Sequence, residues 1–228
     1  MRKQTGFTLI EIAIVLVIIG LLLGGVLKGQ ELITAARVRN LAAQIDGVKI
    51  AYLGFQDRYR SLPGDYEGTL AAANIPGPTG LPTKGCTPGP NCQNGKIDNI
   101  SEAESILAWH QLSRSGFITG SYDGVGTATT PTPLNNPTNA FSGYLQLIND
   151  GAYSDAGTPP IVLNIKTGGN VPAAIVAELD RKVDDGAPLT GSFRNQVTWD
   201  GVTTTTCINT TVYNATDNPK TCGGVSIQ

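Results

Sequence analysis

Glu11 is the one acidic side chain in the stretch GFTLIEIAIVLVIIGLLLGGVLKG, and from Phe7 to Leu27 its only strongly polar companion is Thr8. A carboxylate at the centre of a bilayer costs roughly 2.5–3.5 kcal/mol on insertion scales, and less near the interface. It therefore either snorkels to the headgroups or pairs with a cation. Other groups with chemistry are sparse. His110 is the single histidine, beside Trp109, with no second His and no thiolate pair at zinc spacing, so no metal site is read there. In NCQNGKIDN, Asn94, Gly95, Ile97 and Asp98 fit part of a calcium-loop frame, but its first position falls on Pro90, which has no ligand side chain. No nucleophile set assembles around one histidine, and the glycine-rich stretches lack the GK[ST] of a phosphate loop. No catalytic residue, cofactor or small-molecule substrate is assigned, and the chain reads as non-enzymatic. Cys86, Cys92, Cys207 and Cys222 allow three pairings. Cys86–Cys92 with Cys207–Cys222 is favoured, because each closes a short loop between turn-rich segments. An even cysteine count beyond a membrane-directed N-terminus also fits an oxidising compartment.

The elements that must position these groups begin with the apolar run. Phe7 to Leu27 is close to the ~20 residues that a helix needs to cross a bilayer. Arg2 and Lys3 precede it, so the positive-inside rule holds residues 1–6 in the cytoplasm and sends everything after Lys28 across. The run exceeds the core of a cleaved secretory signal, and no small-x-small site ends it. Beyond Lys28, Val38, Leu41, Ile45, Val48, Tyr52, Phe55 and Tyr59 alternate three and four apart, drawing one apolar stripe along a helix. Pro63-Gly64 is its stop. A helix from Phe7 to about Tyr59 would be on the order of 80 Å long at 1.5 Å per residue. Gly20-xxx-Gly24 and Gly25-xxx-Gly29 are spacings that permit close helix approach.

A short basic leader followed by Gly6-Phe7-Thr8-Leu9-Ile10-Glu11 and a long aliphatic run resembles the prepilin leader of type IV pilins and type II secretion pseudopilins. The resemblance covers about the first sixty residues. It implies that a prepilin peptidase cuts on the cytoplasmic side after Gly6 and methylates the new terminal residue, Phe7. It also implies that Glu11, fifth from Phe7, serves assembly by pairing with the amine of a neighbouring subunit. Physical chemistry agrees with that role. The α-amino group freed by the cut is mostly protonated near neutral pH. Glu11 lies about one helical turn away, its side chain leaning back toward the N-terminus. The implied partners are pilin-like subunits in a homo- or hetero-oligomeric filament, the peptidase, and an inner-membrane assembly platform. The implied location is the inner membrane, N-terminus in the cytoplasm and head in the periplasm, then a periplasmic or cell-surface filament. Many pilins carry a proline in the spine helix; here Gly24, Gly25 and Gly29 occupy that stretch.

The remainder reads as a globular head. Ser101-Glu-Ala-Glu104 has the form of a capping box that opens a short helix ending near Gly116, with Ile106, Leu107, Trp109 and Leu112 on its buried face. Residues 143–148 and 160–165 are predicted strands. Pro172 starts a second helix with Ile175, Leu179 and Val183 on one face, Asp184-Asp185 at its end and Gly186 as its stop. The Thr-rich tail has β-branched content that predicts further strands. The expected class is α+β: a leader (1–6), a transmembrane or filament-core half-helix (7–27), an amphipathic half-helix (28–60) and a head (61–228) with a small antiparallel sheet. Net charge is −2, which offers no basic surface for nucleic acid. The reading is a pilin-like structural subunit of a type IV pilus or type II secretion filament, a class that includes minor pilins and pseudopilins, with major or minor status left open. The alternative is a permanent single-span inner-membrane protein whose periplasmic head binds a ligand or partner.

Intact-mass and terminal analysis of the mature protein is expected to find methylated Phe7 at the N-terminus. Loss of Arg2 and Lys3 with the leader takes the side-chain net charge from −2 to −4. A mature chain that begins at Met1, or beyond Leu27, contradicts this.

Overall fold

The computed structural model describes residues 9–77, 81–100, 103–126, 130–199, 202–203, 206–217 and 219–228. The architecture is α+β, a long apolar N-terminal helix followed by short helices and an antiparallel sheet. Two compact units divide the chain, residues 1–38 and 39–228, and helix α1 (Leu9–Tyr59) contributes to both. In the first unit α1 continues unbroken through Gly20, Gly24, Gly25 and Gly29. Its large apolar side chains from Leu9 to Leu27 are 46% to 91% exposed. A helix that is hydrophobic all round needs lipid or other helices as its solvent. This one is long and apolar enough to cross a membrane.

Within the second unit α1 is amphipathic. Leu41, Ile45, Val48, Tyr52 and Phe55 are buried and Tyr59 is half-buried, whereas Ile50 and Leu53 face solvent. The helix ends where Arg60 takes a left-handed φ of 57° and donates its N–H to the Gln56 carbonyl at 2.8 Å. Gly64 follows with φ +92°, and a Cβ there would run into the Glu104 carbonyl. Only glycine fits that crossing. Phe55 is the centre of a ring cluster with Tyr59, Tyr66 and Phe117, at centroid distances of 4.6, 6.1 and 6.2 Å. Edge-on and tilted ring contacts of this kind add to the apolar burial.

Helix α2 (Gly68–Asn74) has no counterpart in the sequence reading, because its cap is an atypical one. The Glu67 carboxylate accepts the N–H groups of Thr69 and Leu70 at 2.9 and 3.2 Å, the role that Ser, Thr, Asp or Asn usually takes. Helix α3 (Glu104–Arg114) buries Ile106, Leu107, Trp109 and Leu112 as predicted. Its start corrects the capping box. Ala103 occupies the cap without a side-chain bond, and Ser101 lies outside the described residues. Glu104 instead accepts the Asp98 N–H at 2.8 Å, so the carboxylate fastens the preceding loop. From the same helix the fully buried Gln111 accepts the Gly64 N–H at 2.7 Å. It also donates to the carbonyls of Tyr66 and Lys84 at 2.9 and 3.1 Å. One side chain thereby joins α3, the turn after α1 and the strand-like segment at Lys84.

Four strands form the main sheet in the order β1-β2-β8-β3, all antiparallel: β1 (Gln146–Asp150), β2 (Val162–Lys166), β3 (Phe193–Asn195) and β8 (Gly224–Ile227). β1 and β2 sit slightly C-terminal to their predicted positions. Two small hairpins, β4 (Thr198–Trp199) with β5 (Val202–Thr203) and β6 (Ile208–Asn209) with β7 (Val212–Tyr213), occupy the Thr-rich tail. The C-terminal β8 is central in the sheet, a placement that a four-residue strand does not announce in sequence. Registered residues share a face, so Leu147, Ile165, Ser226 and Phe193 form one row and Gln146, Lys166, Val225 and Arg194 its opposite. The second row is polar apart from Val225 and is largely covered. Lys166 is 1% exposed, pairs with Asp150 at 2.5 Å and donates to the Thr198 carbonyl at 3.3 Å. Burial pulls its pKa down and the Asp150 carboxylate opposes that pull. Helix α4 (Ala173–Val183) packs on β3 and β7 and buries Ile175 and Leu179. Val183, predicted on the same face, is 40% exposed at the end of the helix. Disulfides join Cys86 to Cys92 and Cys207 to Cys222, closing loops of 6 and 15 residues. The longer loop is worth about 3 kcal/mol on the chain-entropy account.

Gln111→Leu keeps the volume but strands the Gly64 N–H and two carbonyls. Buried groups left unpaired cost about 1–3 kcal/mol each, so the variant should lose about 3 kcal/mol or more of head stability. Denaturant unfolding of the full chain in detergent checks this, and a loss under about 1 kcal/mol contradicts it.

Candidate processing and assembly site

Of the N-terminal residues singled out by the sequence, Gly6 and Phe7 lie outside the described residues, and Glu11 lies in the first turn of α1. Glu11 is exposed, and so are its flanking neighbours Ile10 and Ile12, at 68% and 48%. A carboxylate in an apolar surface of this kind has its electrostatic strength magnified once lipid or other helices replace water around it. That is the chemistry the segment offers: an anion at a defined height in an otherwise apolar surface.

The other sequence candidates resolve into structural roles. His110 is buried at 2% exposure. Its Nε2 accepts the Lys84 N–H at 3.0 Å, and its Nδ1 lies 2.6 Å from the Tyr122 carbonyl. These partners assign the neutral tautomer with the proton on Nδ1. Burial holds its pKa below the usual imidazole value, with Arg114 and Lys84 pushing the same way. The loop that resembles a calcium frame is held from outside it. Asp65 accepts the N–H groups of Asn94 and Gly95 at 3.1 and 2.8 Å, and Asn94 donates its side-chain amide to Asp98 at 3.3 Å. Burial raises the Asp65 pKa while those backbone bonds lower it. Asp65 and Glu104 approach one another beside Cys86, whose sulfur is occupied by the disulfide.

Asp180 escaped the sequence reading. It lies on the buried face of α4, accepts the Tyr213 hydroxyl at 2.7 Å and the Gly186 N–H at 3.1 Å. Burial, with Asp185 and Asp184 adding to it, pushes its pKa up to about 6. A charged residue at i+1 from a buried Leu gives no sequence signal of this kind.

The first 27 residues match the family model described as the prokaryotic N-terminal methylation motif, the signature of type IV pilins and pseudopilins. Over the whole chain, no curated protein and no solved structure matches. The segment that carries Glu11 is therefore a prepilin-type N-terminus, and the motif with the apolar helix fits a membrane-anchored, pilin-like precursor.

Two buried groups set opposite pH dependences. His110, with its folded pKa lowered, contributes stability above about pH 6.5 that is lost as the pH falls below that value. Asp180, raised to about 6, contributes stability that is full below about pH 3.9 and lost as pH rises through 6. Between pH 7 and 5, thermal unfolding of His110→Gln should therefore show a flatter acid loss than the parent. Asp180→Asn should show a steeper one, by about 2 kcal/mol at most. Parallel profiles for all three proteins would contradict both assignments.

Proposed function

We propose that this chain is a structural subunit of a type IV pilus or type II secretion filament, processed after Gly6 and assembled through α1. The observation that carries the proposal is Glu11 in the first turn of a helix that is apolar on every side, inside a matching N-terminal methylation motif. Before assembly the chain spans the inner membrane with its head in the periplasm. In the filament, α1 exchanges lipid for neighbouring helices, and Glu11 meets the methylated Phe7 amine of an adjacent subunit. The apolar stretch supplies affinity without register, since one aliphatic turn packs much like the next. A single charge pair in low dielectric supplies the register. Prepilin peptidase, other pilin-like subunits and an inner-membrane assembly platform are its partners, and its role is mechanical rather than catalytic.

The second reading, a permanent single-span protein with a binding head, shares the apolar helix but gives Glu11 no role in assembly. Glu11→Ala separates the two. The variant should insert at least as well as the parent, because a costly polar group is gone, and should still be cleaved after Gly6. Filament-associated protein should fall at least about tenfold, the equivalent of about 1.4 kcal/mol of assembly free energy. Glu11→Asp should be intermediate, since the charge survives and the reach shortens. Fractionation of sheared surface or periplasmic filaments against membranes measures this, and parental assembly by Glu11→Ala would refute the role.

A further inference from the structure

Lys166, on β2, is the only buried lysine among the described residues, with a side chain 1% exposed. Its Nζ lies 2.5 Å from Oδ2 of Asp150, on the neighbouring strand β1. A nitrogen at that distance from one carboxyl oxygen stands about 3–3.5 Å from the carboxyl carbon, the separation of a near-attack geometry. Burial pulls the Lys166 pKa down and outweighs the upward pull of Asp150. A larger share of the amine is therefore neutral, with the lone pair that a nucleophile needs.

The two oxygens of Asp150 are held differently. Oδ1 accepts the side-chain amide of Asn164 at 2.9 Å and the Ala152 N–H at 3.2 Å. Oδ2 faces the amine. Two donors aimed at one oxygen stabilise negative charge that develops on it during acyl transfer. Asn164 is fully buried, and its Nδ2 also donates to the Asp150 backbone carbonyl at 2.7 Å. With two acceptors on Nδ2, the amide orientation is fixed by the hydrogen bonds around it. The Thr198 carbonyl accepts from Lys166 Nζ at 3.3 Å and helps to orient the amine. An ion pair has no use for this asymmetry; an acyl acceptor does.

We propose that Lys166 and Asp150 join in an intramolecular amide that cross-links β2 to β1. The Lys166 ammonium gives one proton to Oδ2, leaving a neutral amine beside a neutral acid, the state that a buried site favours. Nζ then attacks Cγ, and Oδ1 carries the negative charge of the tetrahedral intermediate against the N–H groups of Asn164 and Ala152. A second proton passes from Nζ to Oδ2, the Cγ–Oδ2 bond breaks and one water leaves. Ammonium and carboxylate thus become amide and water, and the step consumes no oxidant, reductant or other co-reactant. The Asp150 side chain is 25% exposed, which gives the water a way out. β1 is an edge strand of the four-stranded sheet, so the bond pins that edge to its only neighbour. Both groups belong to residues 39–228, and the inference is independent of how α1 assembles.

The test is peptide mapping by mass spectrometry on the full chain purified in detergent, then reduced, unfolded and acetylated before digestion. The chain should be one water lighter than its processed sequence. A branched peptide should link Lys166 to Asp150, and Lys166 should carry no acetyl group. Closure of a succinimide at Asp150-Gly151 loses the same water, so Lys166→Met is mapped beside the parent and should retain the water. The branched peptide is sought in the parent, so its detection does not depend on whether the variant folds. The proposal is overturned if Lys166 of the parent is acetylated throughout, or if it is linked to any residue other than Asp150. Water loss that persists in Lys166→Met, with no branched peptide in the parent, also overturns it.

Discussion

The apolar stripe on the second half of α1 is the constraint from which the organisation of residues 39–228 follows. Leu41, Ile45, Val48, Tyr52 and Phe55 present a continuous band that no isolated helix can hide, and helix propensity alone contributes little to its stability. The head supplies the cover. Phe117 and Tyr66 close around Phe55, and Trp109 is buried on α3 in the same unit. Gln111 then secures the turn that returns the chain from α1 to α3. A Cβ at Gly64 would run into the Glu104 carbonyl, and the Gly64 N–H is satisfied from the neighbouring helix by Gln111.

The first half of α1 obeys the opposite rule. Its apolar side chains have no cover within the chain, so their burial is deferred to lipid or to other helices. Glu11 is the one charged side chain between Leu9 and Leu27. A charge is expensive in hydrocarbon unless a counter-charge is near.

Polar groups inside the head serve a different purpose, which is to hold irregular chain. Asp65 and Glu104 fasten the 94–98 loop, Glu67 starts α2, and His110 ties residues 84 and 122 to α3. Asp180 and Tyr213 bind α4 to the hairpin inside the Cys207–Cys222 loop. A head rich in glycine and turns has few ladder bonds in these regions, so side chains satisfy the backbone instead.

Local chemistry sufficed for the features that depend on chain order and periodicity. The leader, the apolar run, the stripe from Val38 to Phe55, the stop at Pro63-Gly64 and helix α4 each follow from spacing within one turn or from one backbone restriction. Glu11 was legible for the same reason, since a charge in an apolar run is conspicuous without any knowledge of the fold. Tertiary structure decided what depends on meetings between distant segments. It put the C-terminal Gly224–Ile227 at the centre of the sheet, buried Lys166 beside Asp150, and turned Glu104 from a presumed capping residue into a clasp for Asp98. It also left Gly47 beside an open groove and Gly54 against a phenyl ring, although the two glycines are indistinguishable in sequence. Periodicity reports which face of an element is buried; what lies against that face is set by packing across a hundred residues or more, and no local pattern encodes it.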